Sequence, residues 1–213
     1  MNENAIPAKR TMRIAGALSA VLALAATAAA AETPSLNLFR NVCAAHNADA
    51  ASIEPDLQAR GWRMLTPEEV QRRPSTELAR GFTMHWTRFQ AWGPSDGTSL
   101  IVLVGDGPVN EGAAQGNFCL LADAVGFSRQ TREVREWLGF RRAQTWGPGA
   151  DIFAYVRSPS GELRNAAGLS ESEGAEPFAQ GRIGFVQVIG DEHMTLLNFS
   201  VIRPQNQEQG APP

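Results

Sequence analysis

Apolar and polar positions alternate in short runs through the second half of the chain. The clearest run is 115–124, QGNFCLLADA. As a strand it puts Phe118 and Leu120 on one face and Cys119 and Leu121 on the other. Residues 82–91 alternate in the same way, with Met84 and Trp86 opposite His85, Thr87 and Phe89. Residues 99–104, SLIVLV, read as an apolar central strand. A Gly-Pro-Ser-Asp-Gly turn at 93–97 and a glycine-rich loop at 105–116 connect these three. Neither connection holds a crossover helix, so the strands run antiparallel. Further on, 152–157 form a strand. A hairpin follows, 183–189 running in, Gly190-Asp191 turning, and 192–203 running out.

Helical spacing precedes and interrupts the strands. Ser35 starts a helix whose apolar stripe holds Leu38, Phe39, Val42, Cys43 and His46. A second short helix over 49–61 has Ser52 as its cap and Gly61 as its stop. Thr66-Pro67-Glu68-Glu69 supplies a cap, a first-turn proline and a capping-box glutamate, and Pro74 limits that helix. Ser128 to Gly139 is the strongest helix, with Val134, Trp137 and Leu138 inward. Residues 165–181, rich in glycine, serine and glutamate, read as a surface loop. The order predicts an α+β fold. It is a single domain with an antiparallel sheet of about six strands and helices packed on one face. A two-sheet sandwich is the alternative. Helix-then-three-strands occurs twice, which points to a duplicated unit, although no residue-level repeat accompanies it.

The N-terminus changes the picture from a generic domain to an exported one. Lys9, Arg10 and Arg13 precede an alanine-rich apolar stretch at 14–31 that ends in Ala29-Ala30-Ala31. This is the pattern of a cleaved signal peptide, and the stretch is poor in the large apolar residues of a membrane anchor. The expected organisation is therefore a leader at 1–31, a domain at 32–203 and a disordered tail at 204–213. The leader holds three basic residues and one acidic. The remainder therefore carries a formal charge of −5, two units below the −3 of the whole chain. A mildly acidic domain argues against nucleic acid as a partner, and no stable membrane anchor is expected after cleavage. Lys9 is the sole lysine, so Schiff-base and Walker A lysine chemistry are excluded from the mature chain.

The 213 residues contain two cysteines, Cys43 and Cys119. In an oxidising compartment they pair, and closing a loop of roughly 75 residues stabilises by about 4 kcal/mol. The competing reading is two buried free thiols.

Candidate chemistry is sparse. Ser95 lies in a G-x-S-x-G match, but a strand rather than a helix follows it, which an elbow nucleophile does not allow. Gly105-Asp106-Gly107 lacks the third glycine and the helix of a phosphate loop. His46, His85 and His193 have no partner at metal-ligand spacing, so no metal and no cofactor are expected. His193, beside Asp191 and Glu192, is the best acid–base candidate. Trp92 and Trp146 each precede Gly-Pro at a turn, and together suit a groove for a sugar or apolar ligand. Asn198 heads a glycosylation sequon inside a predicted strand, and is discounted there.

A cysteine on the opening helix, in Leu36-Asn37-Leu38-Phe39-Arg40-Asn41-Val42-Cys43, is followed by Trp86 and then Cys119 on strands. This resembles uncharacterised small exported proteins of Gram-negative bacteria. The resemblance implies export and the bridge, and no activity. The expectation is a periplasmic or secreted, non-enzymatic domain that binds a small molecule or an envelope protein. The alternative is an envelope hydrolase using a serine or carboxylate with His193.

Overall fold

The computed structural model describes residues 32–205 apart from 74, 96, 97, 110 and 142. The side chains of Ser75, Thr76, Leu78, Phe82 and Trp146 lie outside the description, as do the expected leader and residues 206–213 of the tail.

Helix α1, Pro34–Phe39, starts at Thr33, whose hydroxyl accepts the Leu36 amide with Pro34 in the first turn. Ser35, the expected cap, is instead buried on the helix. A π-helical turn, Arg40–Ala44, continues α1 and carries Cys43. Helix α2, Ala50–Ala59, is capped by Asp49, which accepts the amide of Ser52. Strand β1, Trp62–Met64, leads to α3, Pro67–Gln71, with the Thr66/Glu69 capping box in place. Then follow α4, Ser75–Thr83, and the meander β2, Arg88–Pro94, β3, Ile101–Val109, and β4, Ala114–Asp123. Helix α5, Phe127–Leu138, ends at Gly139 in the left-handed conformation. Strands β5, Gln144–Gly147, β6, Ala150–Arg157, and β7, Leu163–Asn165, precede α6, Glu171–Ala179. The hairpin β8, Ile183–Gly190, and β9, Thr195–Pro204, closes the fold.

Among the described residues the nine strands form one antiparallel sheet in the order β1-β2-β3-β4-β9-β8-β6-β5, with β7 beside β6. The α+β class stands, with a sheet larger than six strands. Helices cover both faces, not one. The Cys119 face packs Val102, Val104, Leu121, Val186 and Phe199 against α1, α2 and α5. The opposite face packs Ile101, Leu103, Leu120 and Leu196 against Ala79 of α4. The reason lies in β3 and β4: consecutive buried residues make both faces apolar there, and each face then needs a cover.

Three boundaries differ from the sequence expectation. Residues 82 and 83 finish α4, so the expected strand at 82–91 begins only at Arg88. The glycine-rich segment 105–116 is largely strand, because its glycines make room for rings. A Cβ on Gly105 would lie 2.4 Å from Trp86, and one on Gly116 would lie 2.4 Å from Phe118. These two rings stack at 5.2 Å. The expected loop at 165–181 contains α6, whose start is a Ser170/Glu173 capping box.

The sheet has an internal symmetry. The meanders β2-β3-β4 and β6-β8-β9 meet along β4 and β9. A helix precedes each, and each helix is followed by a left-handed glycine and an aromatic residue: Gly61 and Trp62 after α2, Gly139 and Phe140 after α5. The duplication expected from element order thus has a counterpart in space.

Two cross-links tie the opening helix down. Cys43 and Cys119 form a disulfide with their Cα atoms 5.4 Å apart, and both are fully buried. Glu133 of α5 accepts the Thr33 amide at 3.1 Å and the Thr33 hydroxyl at 2.7 Å, and its other oxygen accepts Arg129 Nε at 2.8 Å. Burial pushes the Glu133 carboxyl up, but these donors outweigh it and hold it below the usual carboxylate range. A depressed folded-state value gives stability that is present above the unfolded carboxylate value and lost as pH falls through the folded one. Glu133→Gln is therefore expected to cost about 1–2 kcal/mol at neutral pH. Urea unfolding should show the gap to the native chain closing as pH drops below about 4. A gap independent of pH would contradict this.

Candidate functional site

Counting outward from the disulfide along the Cys119 face, the chemistry changes abruptly. Cys119 and its neighbour Val104 on β3 are buried and apolar. Two residues further along β4 comes Asn117, paired with Asp106 on β3, which is paired in turn with Arg88 on β2. Gln115 follows, paired with Arg203 on β9. Strand alternation puts all five on the same face. They form the polar floor at one end of an otherwise apolar layer.

The first turn of α2 is the wall. The floor and the wall enclose an open cleft of about 550 Å³, within the usual size of small-molecule sites. The chain reaches this wall through Asn47 and Ala48, both left-handed at φ 54° and 55°. Neither is glycine; the conformation costs Ala48 about 1–2 kcal/mol, and Asn47 less, because asparagine enters this region more readily. The π-helical turn and the disulfide immediately before them hold the wall against β4.

The hydrogen bonds divide the charges. Arg88 Nε meets Asp106 Oδ1 at 3.2 Å, and Gln115 Nε2 donates to Asp106 Oδ2 at 3.3 Å. Asp106 is thus neutralised on the floor. Arg203 donates to the Asn117 side-chain oxygen at 3.5 Å and has no carboxylate partner among the described residues. On the wall, Asp49 Oδ2 accepts the Ser52 amide at 3.0 Å and the Ser52 hydroxyl at 2.6 Å, and Glu54 accepts from Gln58 at 3.1 Å. Among the described residues both wall carboxylates therefore bond only neutral donors.

The residues singled out from the sequence fall elsewhere. Trp92 is 2% exposed in the core, and its indole N–H donates to Gln90 at 3.4 Å. Trp146 lies on β5, with its side chain outside the description. The two are six strands apart in the sheet order, and Trp92 is packed in the core and lines no groove. His193 is exposed on the β8–β9 turn. Its backbone N–H and that of Met194 bind Asp191 and hold that carboxyl below its usual range. Among the described residues its ring makes no hydrogen bond to a serine or acid, so the geometry a hydrolase needs is not assembled there. Ser95 donates to the Gly61 carbonyl at 3.1 Å and ties the end of β2 to the start of β1. His46 Nε2 lies 3.4 Å from Asp56, and His85 is exposed. Asn198 is 3% exposed. Among the described residues no three His, Cys, Asp or Glu side chains converge as a metal-ligand set.

A second concavity of about 440 Å³ lies between β2 and helices α3 and α4, beside the exposed Met64 and Phe89. Its lining is largely apolar and lacks the convergent polar groups of the first. Sequence reasoning missed Arg88, Asp106, Asn117 and Arg203. Alternation would have put them on the Cys119 face, had 105–116 been read as strand. Comparison of the chain with protein families, with curated proteins and with solved structures gives no match.

Proposed function

We propose that this chain is an exported, non-enzymatic binding domain that holds a small polar molecule in the cleft between α2 and strands β2, β3, β4 and β9. The observation that carries the reading is the polar floor of Arg88, Asp106, Asn117 and Arg203 facing an open cleft of about 550 Å³. Export is supported by the leader pattern at 1–31 and by a disulfide, a bond that persists in oxidising compartments. Among the described residues no helix is long and apolar enough to cross a membrane. The test is a thermal-shift screen of small polar solutes on the oxidised protein, repeated with Ala50→Trp, which fills the cleft from a half-buried position on its wall. Hits that raise the melting temperature of the native chain and not of Ala50→Trp are expected. A screen in which every hit survives the filled cleft would move the binding site elsewhere.

A further inference from the structure

The cleft is dipolar, and this decides what kind of small molecule fits it. The floor offers one cation that no carboxylate answers among the described residues, Arg203, with the Asn117 amide beside it. Arg88 adds little net charge, because Asp106 sits 3.2 Å away. The wall offers two carboxylates, Asp49 and Glu54, that among the described residues bond only neutral groups. The start of α2 contributes the equivalent of about half a positive charge, which two full negative charges outweigh. A simple anion drawn to Arg203 would face the wall carboxylates, and a simple cation drawn to the wall would face Arg203. A molecule carrying both charges satisfies both sides.

We infer that the ligand of this cleft is a zwitterion with separated charges, a short peptide with free termini. The inference rests on the binding reading above. The terminal carboxylate meets Arg203 and the Asn117 amide, and the terminal ammonium meets Glu54 and Asp49. Val104 and Gln90 also line the cleft. Val104 is buried beneath the floor, and the half-buried Gln90 amide is the floor group that meets the peptide backbone. Charge-assisted hydrogen bonds at both ends are stronger than neutral ones, so capping either terminus removes an attractive contact and leaves a protein charge unanswered.

The experiment is isothermal titration of the oxidised protein at low salt with trialanine, N-acetyl-trialanine and trialanine amide. Trialanine is expected to saturate the protein, and each capped form to bind at least tenfold more weakly. Glu54→Gln is expected to bring the acetylated and free peptides within about twofold of each other. Arg203→Gln is expected to do the same for the amidated and free peptides. Both positions are on the cleft surface, and circular dichroism checks that each variant is folded. Equal affinity for all three peptides overturns the inference, and so does the absence of saturation by trialanine. Amide resonances separate the two levels of failure. If a neutral solute or a plain anion shifts Asn117 and Ala51 while trialanine does not, the cleft remains a binding site and the zwitterion assignment falls. If no solute shifts them, both readings fall.

Discussion

Replacing Cys43 and Cys119 together by alanine is expected to lower the stability of the domain by about 4 kcal/mol. The bridge closes a loop of 76 residues, and the chain-entropy cost of closing a loop grows slowly with its length. For a domain of this size the loss corresponds to a fall in melting temperature of roughly 10 °C. Reduction of the native protein under denaturing conditions, followed by refolding with the thiols blocked, should reproduce it. The effect should also reach the cleft. The π-helical turn that carries Cys43 leads through Asn47 and Ala48 into the α2 wall, and the two left-handed residues persist only while both ends are held. The double variant should therefore lose the binding proposed for this cleft at temperatures where it is still folded. A melting temperature within about 2 °C of the native one would show that the bridge constrains little.

The second large effect is expected at Gly184, where three strands of the second meander cross closely. Tyr155 on β6 reaches over β8 and donates its hydroxyl to the Ser200 carbonyl of β9 at 2.8 Å. Its ring stacks on Phe199 at 5.1 Å, and burial pushes its phenol well above the ordinary range, so it stays a donor. The hydroxyl passes over Gly184. A Cβ there would lie 1.8 Å from the Ser200 carbonyl oxygen and 2.5 Å from the Tyr155 hydroxyl. The first of these is backbone and cannot swing aside. Gly184→Ala is expected to cost at least about 3 kcal/mol in chemical denaturation, at the upper end of overpacking effects. Tyr155→Phe is the control. It removes one hydrogen bond, keeps the ring contacts, and should cost about 1 kcal/mol. A Gly184→Ala variant as stable as the native chain would mean that β8 and β9 are further apart than described.

Much of this fold was legible because strand alternation and helix caps are local signals. The Thr66 capping box, the β8–β9 hairpin and the faces of β4 could all be read directly. So could the pairing of the two cysteines. The signals failed where a residue served a contact distant in sequence. Gly105, Gly107 and Gly116 looked like a loop because glycine usually marks one, yet here Gly105 and Gly116 let the Trp86 and Phe118 rings lie flat on the sheet, and Gly107 lets the backbone of His85 to Thr87 pass close by. Composition also hid α6, where glycine, serine and glutamate suggested a loop although Ser170 and Glu173 carried a capping box. The cleft went unread for the first of these reasons. Arg88, Asp106, Asn117 and Arg203 come from four strands, and they share a face only once the register across those strands is known. Trp92 drew attention as a large ring beside a turn. That position is also where a long side chain plugs the end of a core, and Trp92 does so.

The placement of the two sulfur atoms bears on how the polypeptide matures. Both belong to the first meander and its preceding helices, whereas the seam between the halves joins Ala114 to Pro204 and Asp123 to Thr195. A chain made from its N-terminus onward can therefore be oxidised correctly before its last ninety or so residues exist in usable form. The later half then docks onto an edge, β4, that is already covalently anchored. Of the slow steps in maturation, thiol chemistry and long-range strand pairing need not wait for each other.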